Sequence, residues 1–112
     1  NYLGINFNYK KASELDLVLG NDIKAGEWAS NICKNLGYSN YINPISGKEI
    51  FNTKAYIKEE INLYFQELEE FKYNRGRFIF NGNLSILDTM MWLSPSEIKS
   101  SIIKKSTLIS SK

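Results

Sequence analysis

The residues whose types and spacing suit chemistry lie in three short stretches. In "YINPISGK" (Tyr41–Lys48) a hydroxyl, an unshielded glycine backbone and an ammonium group follow one another at Ser46, Gly47 and Lys48, with Asn43 just upstream. Successive loop N–H groups beside a cation are what a bound phosphate or carboxylate needs. The same letters also make turns for conformational reasons alone, because Asn-Pro and Ser-Gly favour chain reversal and Gly47 can take a positive φ. The stretch lacks the Gly-x-x-x-x-Gly-Lys-(Ser/Thr) pattern of a nucleotide-wrapping loop, so site and turn both stand at this level.

In "NLSILD", Ser85 and Asp88 have the spacing of a capping box. There the hydroxyl accepts a backbone N–H three residues on, and the carboxylate returns to the cap's own N–H. Asp88 is the candidate for a catalytic carboxylate. A helix N-terminus keeps a carboxylate ionised, which suits electrostatic binding better than proton abstraction. In "YNRGRF", Arg75 and Arg77 offer planar forks that match phosphate geometry, although loop arginines are commonly just solvated. The candidates for holding an anion are therefore Asn43, Ser46, Gly47, Lys48, Arg75 and Ser85. Trp28, Tyr41 and Trp92 carry rings able to stack on a sugar or base, but aromatic residues at helical or strand spacing usually serve a core.

Other chemistry is excluded or unsupported by composition. Without histidine the chain has no His-containing zinc site and no imidazole acid–base catalyst. The single Cys33 cannot form an internal disulfide, and on an apolar helical face with no histidine to activate it, it reads as a small core residue of a cytoplasmic protein. No metal-ligand or dinucleotide motif implies a cofactor. Net charge is +2 with both signs interspersed, and the basic spots at Lys72–Arg77 and Lys104-Lys105 are too short for the footprint of a nucleic-acid partner. No apolar run approaches the ~20 residues of a membrane span.

The elements that must position these residues follow from periodicity and punctuation. "NYLGINFNYKK" alternates through Ile5, Phe7 and Tyr9, which predicts a first strand. Ile23, Trp28, Ala29, Ile32, Cys33 and Leu36 recur at helical spacing, which predicts a helix over 22–36 started by Asn21 or Asp22 and stopped by Gly37. "SNYIN" and "INLYFQEL" read as strands, with a helix from Asn52 or Thr53 between them whose apolar face is Tyr56, Ile57 and Ile61.

Residues 69–83 lose all period and read as a long ordered loop holding a short strand at Phe78-Ile79-Phe80; such loops are often functional. A helix follows Ser85, and "SPSE" at 94–97 opens a final one with Ile98, Ile102 and Ile103 facing inward. The tail "STLISSK" is expected to fray. The prediction is one small α/β domain over 1–112, in two or three layers, with a mostly parallel β-α-β-α-β sheet followed by two C-terminal helices.

Three stretches, in order, resemble one family: "YLGINFNYKKASEL", "SNICKNLGYSNYINPISGKEIF" and "NLSILDTMMWLSPSEI". They are similar to the C-terminal half of WbqC-like proteins. In these a strand ending in a Ser-Glu-Leu-like turn precedes a Cys-Lys-x-Leu-Gly helix, a Tyr-(Ile/Leu)-x-x-x-(Ser/Gly)-Gly loop and a Leu-Ser-(Ile/Leu)-(Ile/Leu)-Asp helix start. The likeness runs from Tyr2 to about Ile103, and Lys48 stands where relatives often place Arg or Lys. The "FNGN" before Leu84 departs from the apolar-polar-Pro or Trp motif of many relatives.

The resemblance implies a role in synthesis of O-antigen-type surface polysaccharide, by acyl or aminoacyl transfer onto a nucleotide-linked amino sugar whose own amine is the nucleophile. In this reading Lys48 with the Ser46-Gly47 backbone holds an anion, assisted by Arg75. The chain opens at Asn1 directly in strand-like sequence, so it is expected to be the C-terminal portion of a longer protein, with the N-terminal half as a partner. Two other classes remain open: a non-catalytic module docking on a polysaccharide-pathway enzyme, and a nucleotide-activating α/β enzyme whose Ser-Gly-Lys loop contacts triphosphate.

Overall fold

The computed structural model describes residues 2–111; Asn1 and Lys112, at the ends of the expected first strand and tail, lie outside the described residues. The chain packs as two compact units, Tyr9–Glu67 with Leu108–Lys112, and Asn1–Asn8 with Leu68–Thr107.

The first unit is built on a sheet. Strand β1 (Asn40–Pro44) lies parallel to β2 (Asn62–Leu68), in a register that sets Asn40 opposite Asn62 and Pro44 opposite Gln66. Parallel neighbours need a crossover of a dozen residues or more. Here it is a 3-10 helix at Ile45–Ile50 followed by helix α2 (Thr53–Lys58). Helix α1 (Trp28–Asn35) precedes β1 and ends as Gly37 suggests: Gly37 takes a φ of +69°, and the Tyr38 N–H bonds the Cys33 carbonyl. Alternate residues of β2 face inward, so Leu63 and Phe65 join Cys33, Tyr56 and Ile61 in a buried core flanked by Ala29, Tyr41, Ile45 and Phe51.

Gly26 is buried in the 3-10 turn before α1. A side chain there would begin 2.1 Å from the Ile50 carbonyl oxygen, so only glycine lets the two backbones meet.

Several expectations need correction. The sheet is mixed, because the tail expected to fray forms strand β3 (Ser106–Ser110) beside β2. The Glu69 N–H donates to the Lys105 carbonyl and the Ser111 N–H to the Leu63 carbonyl, a pairing that runs antiparallel. The β-α-β-α-β order is not followed: no strand forms at Ile5, Phe7 and Tyr9, which are 47%, 80% and 67% exposed. Helix α1 begins at Trp28 after a 3-10 turn, so Asn21 and Asp22 cap nothing. Ile57 is exposed, leaving Tyr56 and Ile61 as the inward residues of that segment.

The second unit contains, besides the N-terminal segment, residues 69–85, helix α3 (Ile86–Trp92) and helix α4 (Pro95–Lys105). The segment contains no helix or strand, including at Phe78–Phe80, but it is ordered by ring contacts such as Tyr73 edge-on to Phe80 at 5.2 Å. Helix α4 starts in the expected capping box of Ser94 and Glu97 with Pro95 at its first position. Ile98 is fully buried and Ile102 half-buried, whereas Ile103 points outward. No helix among the described residues is long and apolar enough to cross a membrane.

Candidate functional site

The turn around Gly76 sets the two arginines. The Asn74 side-chain oxygen accepts the Gly76 N–H at 2.8 Å, the Arg75 carbonyl accepts the Phe78 N–H at 3.1 Å, and Gly76 sits at φ +58°. That φ suits glycine and places Arg75 and Arg77 on either side of a tight reversal.

Arg75 turns back onto α3. One terminal nitrogen donates to Asp88 Oδ1 at 2.6 Å, and the other donates to the Ile79 carbonyl at 3.3 Å. Its Nε is buried without a partner among the described residues, so it is closed to the surface. Tyr73 donates its phenolic hydrogen to Asp88 Oδ2 at 2.5 Å, and Thr89 donates to the Tyr73 oxygen at 3.4 Å. The Arg75 and Asp88 side chains are only 12% and 19% exposed. In such a place each charge depends on the other for the solvation it has lost.

With one carboxylate oxygen on a guanidinium and the other on a phenol, Asp88 is arranged to fix Arg75. Asp88 also explains a departure from the expected capping box: Ser85 caps α3 through the Leu87 N–H at 3.3 Å, but the carboxylate does not return to the cap. The tertiary ion pair outcompetes a local bond worth about 1 kcal/mol.

Beside this clasp opens a cleft of about 760 Å³, lined by Arg75, Arg77, Phe78, Ile79, Asn81, Asp88, Met91 and Trp92. Trp92 meets Phe78 edge to face, with centroids 6.0 Å apart, and the Arg75 guanidinium lies 5.7 Å from the Trp92 ring. Arg77 lies 5.4 Å from the Phe78 ring and pairs with no carboxylate among the described residues. Aromatic faces beside an uncommitted guanidinium fit a ligand that is both anionic and flat.

Ser46, Gly47 and Lys48 belong to the sheet unit and lie within the 3-10 helix. Gly47 has no positive φ, and a side chain there would begin 2.6 Å from the Asn43 amide nitrogen, the end of a side chain that would have to turn aside. The Asn43 amide donates to the Pro44 carbonyl at 3.0 Å and accepts from the Tyr41 hydroxyl at 3.3 Å. The Lys48 ammonium lies 6.0 Å from the Phe65 ring. Ser46 is exposed, and none of these residues lines the cleft around Trp92. The sheet unit has its own polar cleft, of about 570 Å³, where Asn21 and Asp22 face Lys54 and Lys58. Cys33 lies in the core, where burial pushes its thiol above the usual range and away from the reactive thiolate.

Of the candidates read from sequence, the structure brings together Arg75 and Asp88, and places Ser85 one turn before Asp88. Tyr73 was missed because nothing local marks it: its partner lies fifteen residues away on another element. Asn81 and Met91 were missed because only the fold brings them to one cleft with Arg77 and Trp92.

A profile of the WbqC-like protein family matches residues 1–100. The chain belongs to the WbqC-like protein family. It matches no curated protein and no solved structure. The matched residues of this WbqC-like chain include every member of the Tyr73–Arg75–Asp88 network and the whole lining of the Trp92 cleft.

Proposed function

We propose that this WbqC-like protein acts in the synthesis of surface polysaccharide of the O-antigen type, and that the Trp92 cleft holds a nucleotide-linked amino sugar. Family membership supports that setting. The observation that carries the reading is the meeting, in one open cleft, of the Arg77 guanidinium, which has no carboxylate partner among the described residues, with the rings of Phe78 and Trp92. Phosphate is matched by the first and a planar or apolar ring face by the second.

The reaction is acyl or aminoacyl transfer. The sugar amine attacks the acyl carbon of an activated donor, a C–N bond forms as the donor's ester or thioester bond breaks, and the amine proton leaves with the departing alcohol or thiol. Asp88 holds Arg75 in place and takes no proton.

Calorimetric titration with nucleotide-linked amino sugars, and with acyl or aminoacyl donors, tests this. Saturable binding of a nucleotide sugar, lost in Trp92→Ala, is expected. Binding of neither class overturns the reading. The cleft's rim favours a second one, since Ile79 and Met91 are 86% and 83% exposed and such apolar surface suits docking on a pathway enzyme. In that case Met91→Asp abolishes the protein–protein association and every small-molecule titration stays flat.

A further inference from the structure

Resting on the nucleotide-sugar reading, we infer that the cleft takes the nucleoside-phosphate end of its ligand, with Arg77 as the phosphate-binding cation, Trp92 as the stacking surface and Arg75 as a positioning residue. The division between the arginines follows from their partners. The terminal nitrogens of Arg75 are engaged by Asp88 at 2.6 Å and the Ile79 carbonyl at 3.3 Å, and its Nε is shut away from the surface. Its charge is already matched by the carboxylate. Arg77 is exposed, contacts the Phe78 ring at 5.4 Å and has no carboxylate partner among the described residues, so it can turn its fork to a phosphate without breaking an ion pair.

The choice of the nucleoside end follows from counting polar partners. A hexose carries a hydroxyl on almost every carbon, and each one taken from water without a replacement is costly. Here both Asp88 oxygens and both terminal nitrogens of Arg75 already carry a hydrogen bond, leaving Asn81 and Arg77 as the lining polar side chains with no hydrogen bond or ion pair among the described residues, while Phe78, Ile79, Met91 and Trp92 are apolar wall. A nucleobase suits this wall better, because its faces want no hydrogen bonds and base–aromatic stacking is favourable whatever the base. Trp92 is fixed by Phe78 and Arg75 yet remains 38% exposed, which leaves ring surface for a base. The Asn81 amide offers one donor group and one acceptor to a base edge.

The test uses the full chain carrying Trp28→Phe, which leaves Trp92 as the one tryptophan. Trp92 fluorescence is titrated with UDP, GDP, CDP and dTDP, with the matching nucleosides, and with inorganic phosphate. At least one diphosphate is expected to quench saturably and to bind more tightly than either its nucleoside or phosphate. Arg77→Ala should weaken it about tenfold or more and flatten its salt dependence, with Arg77→Lys recovering part of the loss.

Arg75→Lys, which keeps the charge and loses the fork, should weaken binding with the salt dependence intact. An affinity unmoved by Arg77→Ala, or phosphate binding as tightly as the diphosphates, overturns the inference. A nucleotide-linked amino sugar that binds by calorimetry while no free diphosphate competes overturns the inference alone, and absence of all binding removes the parent reading with it.

Discussion

In the sheet unit Cys33, Tyr56, Ile61, Leu63 and Phe65 are shut off from water together, whereas in the loop–helix unit Ile98 is the one apolar side chain so buried among the described residues. The second unit orders residues 69–85 with other means: a carboxylate shared between Arg75 and Tyr73, and rings meeting at their edges. The contrast teaches where exposed apolar surface comes from. A unit that spends its apolar side chains on a core has few to offer outside. One held by an ion pair can leave Phe78, Ile79 and Met91 facing outward.

The comparison is broken most easily at Phe65. Phe65→Ala should cost about 3–5 kcal/mol, against a total of about 5–15 for a domain, and urea titration should show much of the fold lost. A cost below about 1 kcal/mol would mean that the sheet unit does not rest on its core. Next comes Asp88→Asn, which strands a guanidinium that is largely buried and should cost about 3 kcal/mol. Arg75→Met with Asp88→Leu should recover most of it. If the double variant is as unstable as the single one, the unit is held by packing, and the contrast between the units collapses.

Gly26→Ala should cost about 1–3 kcal/mol by thermal melt, since the added carbon meets the Ile50 carbonyl and backbone must move. The smallest effect sharpens the contrast between caps. Ser94→Ala should cost about 1 kcal/mol and Ser85→Ala about half that, because Ser94 has a reciprocal box and Ser85 a single bond. The box also has a pH signature. Hydrogen bonds from the Ser94 hydroxyl and backbone hold the Glu97 carboxyl below its usual range. Its folded value is depressed, so its contribution is complete above the unfolded value of about 4.3 and is lost as the pH falls through the folded one. In Ser94→Ala that part of the acid melting curve should flatten.

Elements whose signals are local were legible. β1, β2, α2, α3 and α4 carry their own periodicity or caps, and the Ser94–Glu97 box formed as its spacing predicts. The failures share one cause, which is that pairing is decided at long range. Ile5, Phe7 and Tyr9 alternate as a strand should but form none, while the polar-looking Ser106–Ser110 forms one because β2 has an open edge beside it. At the site, the charges were visible as letters, but their roles were not. Arg75 and Asp88 read as separate candidates in the sequence, and only the fold brings them within 2.6 Å of each other.

Strand β3 has a consequence for how the chain tolerates change. β2 and β3 are antiparallel neighbours, a pair that a two-residue hairpin turn can join, yet between them the chain makes the whole excursion through the loop, α3 and α4. Its base is stapled by the Glu69 N–H on the Lys105 carbonyl and by the Lys105 ammonium on the Glu69 carboxylate at 2.9 Å. Doubling the length of such an excursion adds only about 0.6 kcal/mol of closure entropy. Residues 69–105, with Arg77, Phe78 and Trp92 among them, therefore form one continuous insertion between β2 and β3, whose lengthening or shortening changes closure entropy little.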